Sequence, residues 1–261
     1  MSLTGKTPKD TYKDLLHTDN SDNGVDSTLR TIKSGNGNES SLLVSDRSLK
    51  VVSNTNNTSA FLVNNASNAE KFKVDTTNDQ VKALGTHVHT QYAYFGMTPH
   101  DTSSILADRH VGIPFQNGNF ALSLYPLYIG TGTDPDTTFT TADSNNQRAS
   151  TLSACMWYVP SNISIDAVYS VEGADAASGD TTRMHLMSYT FNSGSTSALA
   201  DGTLLAHNDD VTNAGSEQAY LSTWTIDSAS VAAGKIILAT FRQDGTNSDY
   251  TVNITVKYHL T

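Results

Sequence analysis

His87-Val88-His89 is the one stretch whose residue types and spacing match coordination chemistry. Residues two apart on a β-strand face the same side, so three parallel copies around a threefold axis would bring six imidazoles to one point. Six nitrogens suit an octahedral transition metal, with iron or nickel favoured over tetrahedral zinc. Within a single chain the same pair supplies only two ligands and reads as a solvent-facing strand edge.

Other chemistry-bearing residues point to little. The acid-bearing turns Asp134-Pro135-Asp136 and Asn208-Asp209-Asp210 lack the twelve-residue spacing of a calcium loop and read as solvated turns. No Gly-x-Ser-x-Gly elbow, His-Glu-x-x-His pair or phosphate-binding loop occurs. The lone Cys155 excludes an internal disulfide and reads as a buried small apolar residue. Trp157 and Trp224 read as core aromatics before sugar platforms. The expectation is a protein with no catalytic residues, hence not an enzyme.

Composition fixes the kind of scaffold that must position these residues. Only four of the 26 acids are Glu, and Asp, Asn, Ser and Thr abound. These side chains compete with a helix backbone for hydrogen bonds, so the chain reads as strands and turns. Residues 1–85 balance ten bases with ten acids, whereas 86–261 hold six bases and sixteen acids, so the net charge of −10 lies entirely in the second part. That balance argues against nucleic acid as its ligand. No apolar run long enough for a membrane span occurs, and the first residues lack the apolar core of a signal peptide.

Along the chain, Thr7-Pro8-Lys9-Asp10 is a helix-start signal that places Tyr12, Leu15 and Leu16 on one face. A helix of about ten residues does not hold itself together in water, so this face should dock onto something. From 41 to 84, five short segments carry paired apolar residues spaced by two: Leu42/Val44, Leu49/Val51, Phe61/Val63, Phe72/Val74 and Val81/Ala83. They predict short strands with one buried face. Their inward side chains are too few for a self-sufficient core. Three copies pooling their stripes in a trimeric β-prism would supply the rest; a small sheet folded against the C-terminal part is the alternative. The aromatic-rich stretch beyond, broken by Pro99, Pro114 and Pro126, reads as a neck. After about residue 120 alternation is sustained, most clearly over 250–260, and further strands are expected at 120–125, 137–140, 150–158, 162–171, 182–191, 203–207, 219–226 and 235–242. Eight or nine strands separated by turns predict a β-sandwich of jelly-roll kind.

The opening residues Leu3-Thr4-Gly5-Lys6-Thr7-Pro8-Lys9-Asp10, with Asn23-Gly24-Val25-Asp26-Ser27-Thr28-Leu29-Arg30, resemble the N-termini of structural proteins of tailed bacteriophages, notably marine ones. The strand pairs around Phe61 and Phe72 resemble phage fibre shafts, and His87-Val88-His89 resembles the metal-binding His-x-His motif of trimeric tail fibres, of which this chain carries one copy. The resemblance implies an all-β, homotrimeric virion protein. Residues 1–40 would anchor it to phage tail or capsid proteins through Tyr12, Leu15 and Leu16, 41–90 would form an intertwined stalk, 91–119 a neck, and 120–261 a sandwich head. His87 and His89 would hold a transition metal such as iron on the threefold axis. The head would bind a host cell-surface glycan or protein, with no nucleic acid and no membrane insertion, through loops at 172–180, 192–201, 208–217 and 243–249. A capsid decoration protein or head fibre is the alternative.

Overall fold

Asp, Asn, Ser and Thr turns cut the chain into strands, and the computed structural model is 53% strand and 3% helix, with every pairing among its described strands antiparallel. The structure describes residues 13, 15–18, 20, 23–101, 107–116, 127–141, 148–245 and 248–261, with backbone alone at 98–101. Tyr12, the helix-start residues 7–10 and the expected strand 120–125 lie outside the described residues. The chain divides into two units, Met1–Val88 and His89–Thr261.

The first unit holds two four-stranded meanders. One is β1 (Leu16–Thr18), β2 (Arg30–Ser34), β3 (Glu39–Val44) and β4 (Leu49–Val51); the other is β5 (Phe61–Asn64), β6 (Glu70–Asp75), β7 (Gln80–Ala83) and β8 (Thr86–His87). The five expected apolar pairs all fall on strands, and register aligns them across each ladder. Leu42 pairs with Val51 and Val44 with Leu49, while Phe61, Val74 and Val81 form one cross-strand row and Val63, Phe72 and Ala83 the next. Tight turns set this register. In the β6–β7 turn Asp75 accepts backbone hydrogen bonds from Thr77 and Asn78, both 3.0 Å, and Asp79 takes a positive φ of 52°.

The apolar stripe is nevertheless open. Among the described residues no apolar side chain before Ala93 is buried, and Leu49, Phe61 and Val63 stand 66%, 42% and 43% exposed. The expected helical face is corrected at its end: Leu16 belongs to β1, paired with Ser34 of β2, and Leu15 precedes that strand. Pairing to an existing strand satisfies the backbone there, which an isolated single-turn helix end could not do.

The second unit is a pair of sheets. The smaller runs β16 (Gln218–Thr223), β12 (Ile163–Asp175), β20 (Asp249–Leu260), β9 (Thr90–Asp101), with β18 (Ser230–Val231) on β12. The larger runs β10 (Val111–Ile113), β19 (Lys235–Gln243), β13 (Thr181–Phe191), β14 (Leu199–His207), β17 (Thr225–Ile226), with β11 (Trp157–Tyr158) on β19 and β15 (Val211–Thr212) on β13. Between the sheets lies one core: Phe95, Val168, Ile254 and Val256 from the smaller sheet meet Met184, Leu186, Ala239 and Phe241 from the larger. β20 alternates buried and outward residues because its second face is open. β19 is buried almost continuously because the larger sheet is covered on both faces.

The second cover is a layer formed by residues 127–141 and α1 (Ala149–Cys155). Leu127, Ile129, Phe139, Leu152 and Cys155 pack there against Met187, Tyr189, Ile236 and Leu238. Gly112 permits the approach, since a Cβ at that position would lie 2.8 Å from Leu127 Cδ2 and 3.2 Å from Cys155 Sγ. Cys155 is buried as expected, and burial pushes its thiol up to about 12, so it is no nucleophile.

Two further expectations are corrected. Residues 150–155, read as part of a strand over 150–158, belong to α1, whose Thr151, Leu152 and Cys155 are buried. That helix has no side-chain cap, so tertiary docking rather than a local signal decides it. The segment read as a neck is built into the head: β9 pairs with β20 from Thr90 through Asp101, and β10 pairs with β19. Its aromatic residues serve the core, with Phe95 fully buried against Phe115 and Trp157.

Candidate functional site

Strand direction gathers three of the four expected loops at one end of the second unit. β12 ends at Asp175 where β20 begins at Asp249, and Ala174 pairs with Gln218 at the start of β16. The connections 176–180 and 213–217, with the described residues 244–245 and 248 of the third, therefore emerge together. The fourth expected loop, within 192–201, joins Phe191 of β13 to Leu199 of β14 at the opposite end of those strands.

Asn213 ties the three-loop end together. It is 3% exposed, its Nδ2 donates to Ala176 O at 2.6 Å, and its Oδ1 accepts from Tyr220 OH at 2.9 Å. Its backbone closes a two-way link to the neighbouring loop: Gly179 N donates to Asn213 O and Asn213 N to Asp180 O, both 2.8 Å. Asp244 accepts from the backbone and hydroxyl of Thr181 at 2.6 Å each, and Ser248 Oγ donates to Asp180 Oδ2 at 2.9 Å. The loops are thus tied to one another by side chains and by the backbone of Asn213, which leaves their outer residues free to vary in identity.

At the adjoining ends of β12, β16 and β20 lies a depression of about 460 Å³ whose lining includes Gly173, Asp175, Glu217, Gln218, Asp249 and Thr251. Gly173 keeps its floor low, because a Cβ there would lie 2.6 Å from Thr251 Oγ1. The rim carries three carboxylates, Asp175, Glu217 and Asp249, so it offers hydrogen-bond acceptors and disfavours anionic ligands. Beneath the rim, Glu172 is 2% exposed, and Thr182 Oγ1 donates to its Oε1 at 2.7 Å. Burial pushes its carboxyl up to about 7, the Thr182 hydrogen bond opposing. Nothing in the periodicity of the sequence marks Glu172 as inward-facing. Only its register with Val252 in the ladder places it there.

The residues expected to ligate a metal or anchor the chain fall as follows. β8 ends at His87, which is partly buried, and His89 lies exposed in the turn after it. The two imidazoles therefore do not share one face of a continuous strand, which corrects the spacing argument. Leu15 and Leu16 are 56% and 67% exposed. No protein-family model matches the chain, and no curated protein matches it in sequence.

Proposed function

We propose that this chain is a structural protein of a tailed-phage virion, a homotrimeric fibre or spike. Its N-terminal segment docks on tail or capsid proteins, and its C-terminal domain, a sandwich of jelly-roll kind, adheres to a host-surface glycan or protein. One observation carries the reading. The first unit forms well-registered sheets whose aligned apolar rows hold no buried side chain, and sheets of this size need a covered apolar face for stability. Three copies arranged as a prism would cover those rows, as the residue pattern predicts. A transition ion such as iron, held by His87 and His89 of three copies, belongs to the same reading and would require the turn after β8 to bring His89 toward the axis. Adhesion falls to the three-loop end of the head, where weak contacts repeated across a trimer multiply in avidity.

A capsid decoration protein or head fibre would share the fold and differ in its docking place. Sedimentation of the purified chain is expected to give a trimer, and gold-labelled antibody against the head is expected to mark the tail tip of intact particles. A monomer of 28.0 kDa would refute the assembly, and label over the capsid shell would select the decoration role.

A further inference from the structure

The smaller sheet of the second unit buries one face in the core, and its other face is not the polar surface of an ordinary solvated sheet. Tyr94, Tyr169, Val171 and Leu221 all stand exposed on it, Leu221 by 76%. Ladder register lays these side chains in rows across the strands. One row runs Tyr94, Thr255, Tyr169, Thr223 from β9 to β16, and the next brings Asn253, Val171 and Leu221 together. The row after that shrinks to Thr251, Gly173 and Ala219, and this step down in size is the floor of the depression whose rim carries Asp175, Glu217 and Asp249. The aromatic rows and the depression are therefore one continuous surface.

What this surface offers fixes the kind of ligand it can hold. β12 and β20 are paired on both sides, so their backbone groups are spent in the ladders and side chains alone face outward. An extended peptide docks by adding its backbone to an open edge, which the middle of a sheet does not provide. The rows instead set rings and branched apolar groups beside hydroxyls and an amide. A pyranose ring has the matching character, with C–H faces that lie on aromatic and aliphatic side chains and hydroxyls at its edge that pair with hydroxyl, amide and carboxylate groups. Neighbouring strands are ~4.8 Å apart, so Tyr94 and Tyr169, two strands apart in one row, have their Cα atoms on the order of 10 Å from each other, a span that covers two rings of a sugar chain. Tyrosine is suited to such a platform because it gives a large rigid contact at low entropic cost. The three rim carboxylates accept from paired hydroxyls and repel anions, which disfavours sialylated or sulfated chains. Lys257 stands a row beyond the tyrosines, opposite Tyr92 and away from the depression.

We infer that the outward face of the smaller sheet, from Tyr94 and Tyr169 to the depression at Gly173, binds a neutral oligosaccharide chain. This deepens the adhesion reading, on which its biological role rests, by giving the ligand class and extending the contact from the loop end onto the sheet. Full-length chain is probed on an array of neutral hexose and N-acetylhexosamine oligosaccharides, disaccharides to hexasaccharides, with sialylated and sulfated counterparts beside them. Binding confined to neutral chains is expected. Tyr94→Ala and Tyr169→Ala should each weaken it by about tenfold, and Tyr169→Phe, which keeps the ring, should stay close to the parent. Tyr158→Ala removes an exposed ring from the larger sheet and should change nothing. No binding to any neutral chain, preference for the anionic ones, or binding indifferent to both alanine variants would overturn the assignment. A Tyr94→Ala, Tyr169→Ala double variant that sediments as a smaller species than the parent would give the face to a second copy and likewise overturn it. A parent chain that sediments as a monomer yet binds neutral sugar would refute the trimeric reading and leave this site standing, and a trimer that binds none does the reverse.

Discussion

Glu172 and His185 are both ionisable side chains placed where water does not reach, and burial moves them in opposite senses. His185 is pushed down to about 3 by burial and by the neighbouring His110, Arg183, His207 and Arg242, so it is neutral at physiological pH. Glu172 is pushed up to about 7. A carboxyl whose folded pKa is raised contributes its full stabilisation below the unfolded value near 4.5 and loses it as pH rises through about 7. Glu172→Gln is therefore expected to raise the melting temperature at about pH 8 and to change it little at about pH 4. The gain at the higher pH should be on the order of 2–3 kcal/mol. Thermal unfolding followed by circular dichroism at the two pH values checks this, and equal shifts at both would show that the carboxyl is not titrating in the folded state. A histidine within the apolar run of 182–191 was the one visible sign of buried polar side chains beneath the covering layer. His110 gave no such sign, since only folding brings it there.

At the level of elements, the loop end depends on Asn213 more than on any strand. Its side chain donates to the Ala176 carbonyl and accepts from the Tyr220 hydroxyl, which also contacts Gln218 Oε1, so its removal strips the buried Ala176 carbonyl of that donor. Asn213→Ala should cost about 2–3 kcal/mol in urea unfolding. Amide exchange should quicken in 176–180 and 213–217 while the core strands β13 and β19 stay protected; uniform quickening would show that the loops and sheets open together. Alternation made β20 and β12 legible in the sequence, because each has one open face. It failed at 150–155, where Thr151, Leu152 and Cys155 are buried on a helix that no capping residue announces.

For the whole molecule, the contrast between the two units decides what can be made separately. The second unit encloses a two-sheet core with a further layer, and its first strand β9 starts at Thr90. A fragment of residues 90–261 is expected to fold as a monomer with a cooperative thermal transition. Full-length chain should assemble, because the first unit, unlike the second, has no buried apolar side chain among its described residues. Analytical ultracentrifugation of the two side by side checks this, and a fragment that trimerises as strongly as the full chain would move the assembly surface into the head.

The sequence by itself determined that the protein is all-β, that residues 41–84 form short strands with one apolar face, and where most strands of the second unit lie. Side-chain chemistry and a period of two act within a few residues, so they can be read from the chain. Tertiary structure alone decided that the supposed neck is an edge strand of the head, that three loops share one end, and that Glu172, His110 and His185 are buried. Those outcomes depend on ladder register and on which sheet face acquires a second cover, and both are set by contacts between residues far apart in the chain.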